Sequence, residues 1–330
     1  MQACIYEAYG TAEVVRLGDV ERPTVKADEV LVKVHAAGVT TADWRFRAAA
    51  FPRGFRLAGR PMLGLLRPRN PVLGMDFAGT VAAVGNKVTR FRVGERVFGA
   101  TSPMRRAAHA EYLVVAESGA IAATPARLTH QQAAAIPFGG TAALAFLRDF
   151  GSVRPGQRVL IVGGSGSVGT WAVQIARHLG AEVTAVCSTR NLDLMRTLGA
   201  HHAIDYTSGD PLGAEGPRYD LIFDTVGVTS FAAARNRLVP GGTYLPLNSG
   251  PREMWQALLT SRSKGPRVKS ALSQNTREGL EALLELIQSG AATPVIDRVY
   301  PMAQIVDAHR HVEGRHKRGS VVLNIDSLAA

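Results

Sequence analysis

The sequence predicts a two-part α/β chain, in which a β-rich unit is joined to a doubly wound parallel sheet. Three observations predict it. Residues 1–123 read as short β segments broken by Gly, Pro and Asp. From Gln157 onward, strands and helices alternate, the pattern of a parallel sheet with crossover helices. Residues 158–180, RVLIVGGSGSVGTWAVQIARHLG, pass from an apolar β-branched run through glycines into a helical pattern. At 330 residues the chain is long enough for two separate cores.

Taken in order, EVLVKVHAAGV, DFAGTVAAVG, ERVFGA and AEYLVVA are the clearest strands of the first part. Helical periodicity begins near Thr129, in LTHQQAAAIPFGGTAALAFLRDFG, where Pro137 and two glycines are expected to separate two helices. The alternating part follows: RVLIV, a helix, AEVTAVC, a helix over 192–198, HAID, YDLIFDTV, a helix, and GTYLPLN. RVKSAL and a helix over 277–288 continue it. Near Pro294 the pattern changes, and PVIDRVYP, a helix from about Met302 and SVVLNI read as a return to the first part. The expected division is 1–124 with 296–330 for one domain and 125–295 for the other. No internal repeat or low-complexity linker interrupts it.

Composition excludes several classes. Hydrophobic content of 46% with 20% charged residues describes a globular protein, and no apolar run is long enough for a membrane span. The opening MQACIYEAYG lacks the basic-then-apolar layout of a signal peptide. Cys4 and Cys187 are the only cysteines, which excludes a disulfide framework and points to the cytoplasm. The net charge is +11, and Arg45, Arg47, Arg53, Arg56, Arg60, Arg67 and Arg69 follow one another without an intervening acid. Such a stretch either attracts an anionic substrate, carrier protein, nucleic acid or membrane surface, or is a solvated insertion. Without an RNA-binding motif and with little aromatic interleaving, specific nucleic-acid recognition is not expected. The C-terminal HRHVEGRHKRGS is basic too, and its His309, His311 and His316 are not read as a metal site.

Gly164, Gly166 and Gly169 satisfy the G-x-G-x-x-G spacing of a dinucleotide-binding turn. Side chains there would hold the backbone away from a pyrophosphate and from the packed helix. The free N–H groups of the helix start then meet the anion, assisted by the helix dipole. The next strand selects the cofactor. A site for NAD usually ends that strand with an acid that binds the adenosine ribose. Here no acid occurs between Glu182 and Asp193, and the tip reads Ser188-Thr189-Arg190-Asn191. A guanidinium suits a phosphate through paired, charge-assisted hydrogen bonds, so NADPH is expected over NADH. The competing use of Arg190 is as a solvent-facing residue in a helix's first turn.

Several segments together resemble one family over nearly the whole chain. They are AAGVTTADWRFR, NPVLGMDFAGTVAAVGNKVTRFRVGERVFG (with Gly74, Asp76, Gly79, Gly85 and Gly94 in step), PFGGTAALAFL, VCSTRNLDLMRTLGAHHAIDY and FDTVG. The family is the medium-chain dehydrogenase/reductases, in their zinc-independent quinone oxidoreductase branch. The resemblance implies a GroES-like catalytic domain and a Rossmann cofactor domain. Gly163, Gly164, Gly166, Ser167, Val168 and Gly169 would bind the pyrophosphate, and Ser188, Arg190 and Tyr206 the 2′-phosphate and adenine side. Asp224 and Gly227 would lie near the cofactor ribose, and Leu247, Asn248 and Thr141 near the nicotinamide. Arg315 would approach the cofactor across the cleft.

Departures from the family's pattern bear on the chemistry. Zinc-dependent members place Cys, His and often Glu at the metal, where this chain has Thr40, Met75 and Asp76; the segment matching their structural zinc lobe, GATSPMRRAAHAEY, holds no cysteine. No metal is therefore expected, and the hydride must go to an acceptor activated by its own conjugation, a quinone or an α,β-unsaturated carbonyl. Thr40 and Thr141 are candidate donors to the substrate oxygen or the nicotinamide amide. Asp43 is either a proton relay or the cap of a helix starting at Trp44, and Trp44 is either a pocket wall or core. The family often has Lys after the glycine of the last strand, where this chain has Ser320, and Asn where Thr40 stands. An enoyl-thioester reductase acting on a CoA- or carrier-bound chain is the alternative that the arginine-rich stretch favours. A non-enzymatic NADPH-binding scaffold or weak RNA binder is the alternative of another class. The 267–272 strand, RVKSAL, sits where sheets of this family pair edge to edge, so a homodimer is expected.

Overall fold

A computed structural model of the chain describes residues 1–50, 61, 63–213 and 216–326. Arg53, Arg56 and Arg60 of the arginine-rich stretch lie outside the described residues.

The first part opens with an antiparallel hairpin of β1 (Gln2–Tyr6) and β2 (Val15–Asp19). β3 (Glu29–Val39) is the spine of a seven-stranded sheet. It pairs antiparallel with β4 (Asp76–Val84), beyond which lie β5 (Arg96–Ala100) and β7 (Ala120–Ala123). Its other edge takes β6 (Tyr112–Ala116) and the chain's last strand, β15 (Ser320–Asn324). β14 (Ile296–Pro301) runs parallel to β15, so the C-terminal strands complete the N-terminal sheet.

The second part is a six-stranded parallel sheet. Its strands are β8 (Arg158–Val162), β9 (Glu182–Cys187), β10 (His202–Asp205), β11 (Tyr219–Asp224), β12 (Leu238–Pro246) and β13 (Arg267–Val268). Their spatial order is β10-β9-β8-β11-β12-β13. Val159, Leu160 and Ile161 are fully buried, as a central strand covered on both faces requires. The chain turns one way from β8 to β9 and the other way to β11, which opens a crevice beyond the carboxyl ends of these strands. Helix Ser167–His178 fills the space against this sheet, burying every residue from Ser167 to Ala176.

Three elements depart from the sequence pattern. The glycines after Pro137 do not break a helix; they lie inside a helical run over 137–150 with wide π-type turns at both ends. A Cβ on Gly139 would sit 2.6 Å from Ser167 Oγ, and one on Gly140 2.7 Å from a Leu283 methyl. These glycines permit close helix packing. Helix Pro251–Thr260 has no buried residue, so its apolar face (Met254, Trp255, Leu258, Leu259) follows no core of this chain and is not read from core periodicity. The strand expected over 267–272 pairs only at Arg267–Val268, leaving Leu272 exposed. Among the described residues, no helix is long and apolar enough to cross a membrane.

Candidate functional site

The crevice is a cleft of about 1440 Å³ between the two sheets. Its floor begins where β8 ends. Gly163 turns the chain with φ of 80°, and the N–H groups of Gly163 and Gly164 donate to the Val186 carbonyl at the end of β9. The helix that follows starts at Ser167 with Gly166 as its cap and no side chain on its first N–H groups. A Cβ on Gly169 would lie 2.1 Å from the Gly163 carbonyl oxygen, so this glycine is needed for the turn to meet the helix. Gly166 differs. The nearest atom to a Cβ there is 3.6 Å away, and the residue lines the cleft. An open cradle, free N–H groups and a helix dipole fit a dinucleotide's pyrophosphate. Gly163, Gly166, Ser167 and Val168 line the cleft; Gly164 and Gly169 serve packing behind it.

At the tip of β9, Ser188, Thr189, Arg190, Tyr206 and His316 enclose a recess of about 400 Å³ continuous with the cleft. Arg190 donates from Nη2 to the His316 carbonyl at 2.5 Å. The carboxylate of the neighbouring strand, Asp205, is engaged by Thr189 and Thr207, hydrogen bonds that hold its pKa below the usual range.

Gly227, Leu247, Asn248 and Arg315 also line the cleft, but Asp224 does not. Its carboxylate is fully buried, where desolvation raises its pKa, and it accepts from the N–H groups of Val226, Gly227 and Thr229. Asp224 shapes the turn that faces the cleft.

The expected catalytic residues separate in the same way. Thr40 donates to Asp43 Oδ2 at 2.6 Å, and the two form a capping box on helix Thr41–Ala48. Thr40 is the cap and Asp43 the reciprocating residue, and Asp43 Oδ1 also accepts from Gly74 N. Both are buried off the cleft wall: Thr40, a candidate donor to substrate, is spent on the cap, and Asp43 takes the capping alternative over the proton relay. Trp44 is likewise off the wall and lies 5.2 Å beneath the Arg315 guanidinium. Thr141 does line the cleft, with Oγ1 2.7 Å from the Pro137 carbonyl and 2.5 Å from Asn275 Oδ1. A hydroxyl has one proton, and either neighbour takes it, so Thr141 has none to donate to a substrate.

Sequence reasoning missed Arg45, Asn275, His316 and Lys317, which all line the cleft. Arg45 donates from Nη1 to Asn248 Oδ1 at 2.7 Å, joining the first helix to the tip of β12. Lys317 stands three residues before Ser320, where the family's lysine is absent. Burial pushes its pKa down to about 8 against the pull of Asp297 and Asp76. The signal for it was the Lys-Arg-Gly run before the last strand. Ser320 itself bonds Ser167 Oγ at 2.9 Å, and Gly319 N bonds the Ser165 carbonyl, so the last strand is pinned to the glycine turn.

Two arginines of the basic stretch turn inward: Arg45 to Asn248, and the fully buried Arg47 to Glu313 at 2.6 Å. The donor set at Thr40, Met75 and Asp76 does not fit zinc. Thr40 is committed to Asp43, Met75 offers a thioether, and the buried Asp76 carboxyl accepts from Phe138 N with its pKa raised well above the usual range by desolvation.

Family models match at both ends of the chain. An alcohol dehydrogenase GroES-like domain covers residues 26–138, and a zinc-binding dehydrogenase model covers 198–323. The human mitochondrial NAD(P)H oxidoreductase RTN4IP1 is 32% identical, covering 98% of this chain and 89% of the relative. The chloroplastic NADPH-dependent alkenal/one oxidoreductase of Arabidopsis thaliana is 30% identical, over 98% of this chain and 79% of that protein. The solved quinone oxidoreductase of Coxiella burnetii superposes with a TM-score of 0.88 at 29% identity, over 98% and 99% of the two chains. With this cleft, this strand order and these matches, the chain belongs to the medium-chain dehydrogenase/reductase superfamily of NAD(P)H-dependent oxidoreductases, in its quinone oxidoreductase branch.

Proposed function

We propose that the protein is an NADPH-dependent reductase of quinones or α,β-unsaturated carbonyls. The observation that carries the cofactor half is the recess at the tip of β9. Arg190, two hydroxyls and Tyr206 meet there, next to the glycine turn, and its wall has no carboxylate. A 2′-phosphate finds charge-assisted donors in it, whereas a bare ribose finds no acceptor of the usual kind. The acceptor half rests on the donor set that does not fit zinc, and on the relatives named for quinones and alkenals.

When bound, the reduced nicotinamide supplies the hydride. For a conjugated carbonyl the hydride goes to the β-carbon, and the enolate is completed by a proton at the α-carbon. The chain's part is to orient the partners, exclude water and offer N–H groups to the developing oxyanion. Arg45 fixes Asn248 at one end of the cleft. Asn275 accepts from the Thr141 hydroxyl through Oδ1 and keeps its amide N–H groups for the acceptor.

The decisive experiment is consumption of NADPH and of NADH against a quinone, an enal, an enone and an enoyl-CoA, with products identified. Turnover of the first three with NADPH is expected; activity confined to the enoyl-CoA, or none at all, overturns the reading. Arg190→Ala should raise KM for NADPH by roughly 10- to 100-fold and leave that for NADH unchanged. An unchanged cofactor preference would remove Arg190 from the site.

The reading extends to a homodimer. β13 is an edge strand, and the adjoining Leu272 and the Leu258 face of helix Pro251–Thr260 leave apolar surface uncovered. A second copy, paired edge to edge, covers both. Sedimentation at micromolar protein should show a dimer that Leu258→Asp dissociates; a monomeric wild type would refute it.

A further inference from the structure

The recess at the tip of β9 has two walls from different parts of the chain. Ser188, Thr189 and Arg190 follow β9, and Tyr206 follows β10. The opposite wall is His316, from the strap that leads into the last strand of the other sheet. Two features make this wall more than a neighbour. The His316 carbonyl takes the Arg190 Nη2 proton at 2.5 Å, which fixes the guanidinium where it bounds both the recess and the cleft. The strap is also held in an unusual conformation, since Arg315 has φ of 56°, uncommon for a side-chain-bearing residue, while its guanidinium lies over Trp44. Pinned at Arg315 and at Gly319, the strap presents His316 at a set position.

We propose that His316 is a specificity-determining residue for the phosphorylated cofactor: its carbonyl positions Arg190, and its imidazole is a second contact for the 2′-phosphate. The inference rests on the NADPH reading above and deepens it. Arg190 is the charged side chain that bounds the recess with His316, and Asp205 stands behind Thr189. Only the difference between wild type and variant isolates the ring.

The test is calorimetric titration of the full-length protein with 2′,5′-ADP and 5′-AMP, which differ only in the 2′-phosphate. The readout is the ratio of the two affinities, and 5′-AMP binding reports that the site is folded. Wild type should prefer 2′,5′-ADP. His316→Gln should keep 5′-AMP affinity and lose about tenfold in the ratio. A ratio in His316→Gln that matches wild type overturns the role of His316 and leaves the NADPH reading standing. A wild-type ratio near one overturns the NADPH reading itself.

Discussion

The two sides of the cleft that the proposed function gives to cofactor and acceptor are built by different means. The cofactor side is made by backbone from consecutive elements: β8, the turn at Gly163–Gly169, and the capless start of helix Ser167–His178. The acceptor side is made by side chains that arrive from distant segments, with Arg45, Thr141 and Asn275 each on a different one. A backbone site is written in sequence as a spacing of glycines. A side-chain site is written nowhere locally, because each residue's use depends on which neighbour claims its proton or lone pair.

The sharpest break of this comparison comes at the turn, where two glycines three residues apart do different work. Gly169→Ala drives a methyl into the Gly163 carbonyl oxygen and should lower Tm by several degrees while abolishing cofactor binding. Gly166→Val comes no nearer than 3.6 Å at its Cβ to the Gly163 carbonyl oxygen, an ordinary contact, and sits at φ −76°, ψ 175°, which valine adopts freely. It should keep the wild-type Tm and weaken NADPH by roughly 100-fold, by filling the anion's seat. Thermal melts with and without NADPH separate the two. A Gly166→Val protein that is stabilised by NADPH like wild type would show that the pyrophosphate lies elsewhere.

The same contrast explains what was legible. The run RVLIV, the glycine spacing and the tip residues of β9 sit within one stretch of chain, and periodicity with turn chemistry is enough to read them. β3 and helix Arg277–Gln288 are legible for the same local reason, with burial following the pattern of their own residues. Helix Pro251–Thr260 is not, because its large apolar residues, Met254, Trp255, Leu258 and Leu259, stay exposed. Thr40 reads as a substrate ligand from its place in the chain. Asp43, three residues on, takes its hydroxyl proton, and the capping box accounts for both. His316 and Lys317 were invisible as site residues because only the folded strap brings the C-terminus beside β9 and the glycine turn.

Two threonines sharpen the acceptor side, with smaller effects. Thr40→Ala removes a cap and should cost about 1 kcal/mol of stability with kcat unchanged. Thr141→Val removes the partner of Asn275 and should lower kcat/KM by about tenfold with little change in Tm, while Thr141→Ser restores it. Equal loss of kcat in Thr40→Ala would return Thr40 to the active site.

A last contrast concerns stability against pH, and it falls on one part of the molecule. Among the described residues the only fully buried histidines, His109 and His309, are both in the first part, with ring centroids 6.1 Å apart. Desolvation, with the charges of His109 and Arg47 adding to it, holds the His309 pKa well below the usual value near 6.5. The folded state keeps this ring neutral, whereas the unfolded chain binds a proton below about pH 6.5. Stability is therefore complete above that pH and falls as the pH drops, by up to about 1.4 kcal/mol per unit. Both ring nitrogens of His309 lack a hydrogen-bond partner, so His309→Leu removes a desolvated polar group without orphaning another. Calorimetric melts between about pH 7.5 and about pH 5 should show a shallower acid decline in His309→Leu than in wild type. An identical decline would move the acid-sensitive group out of this core, and with it the asymmetry between the two parts.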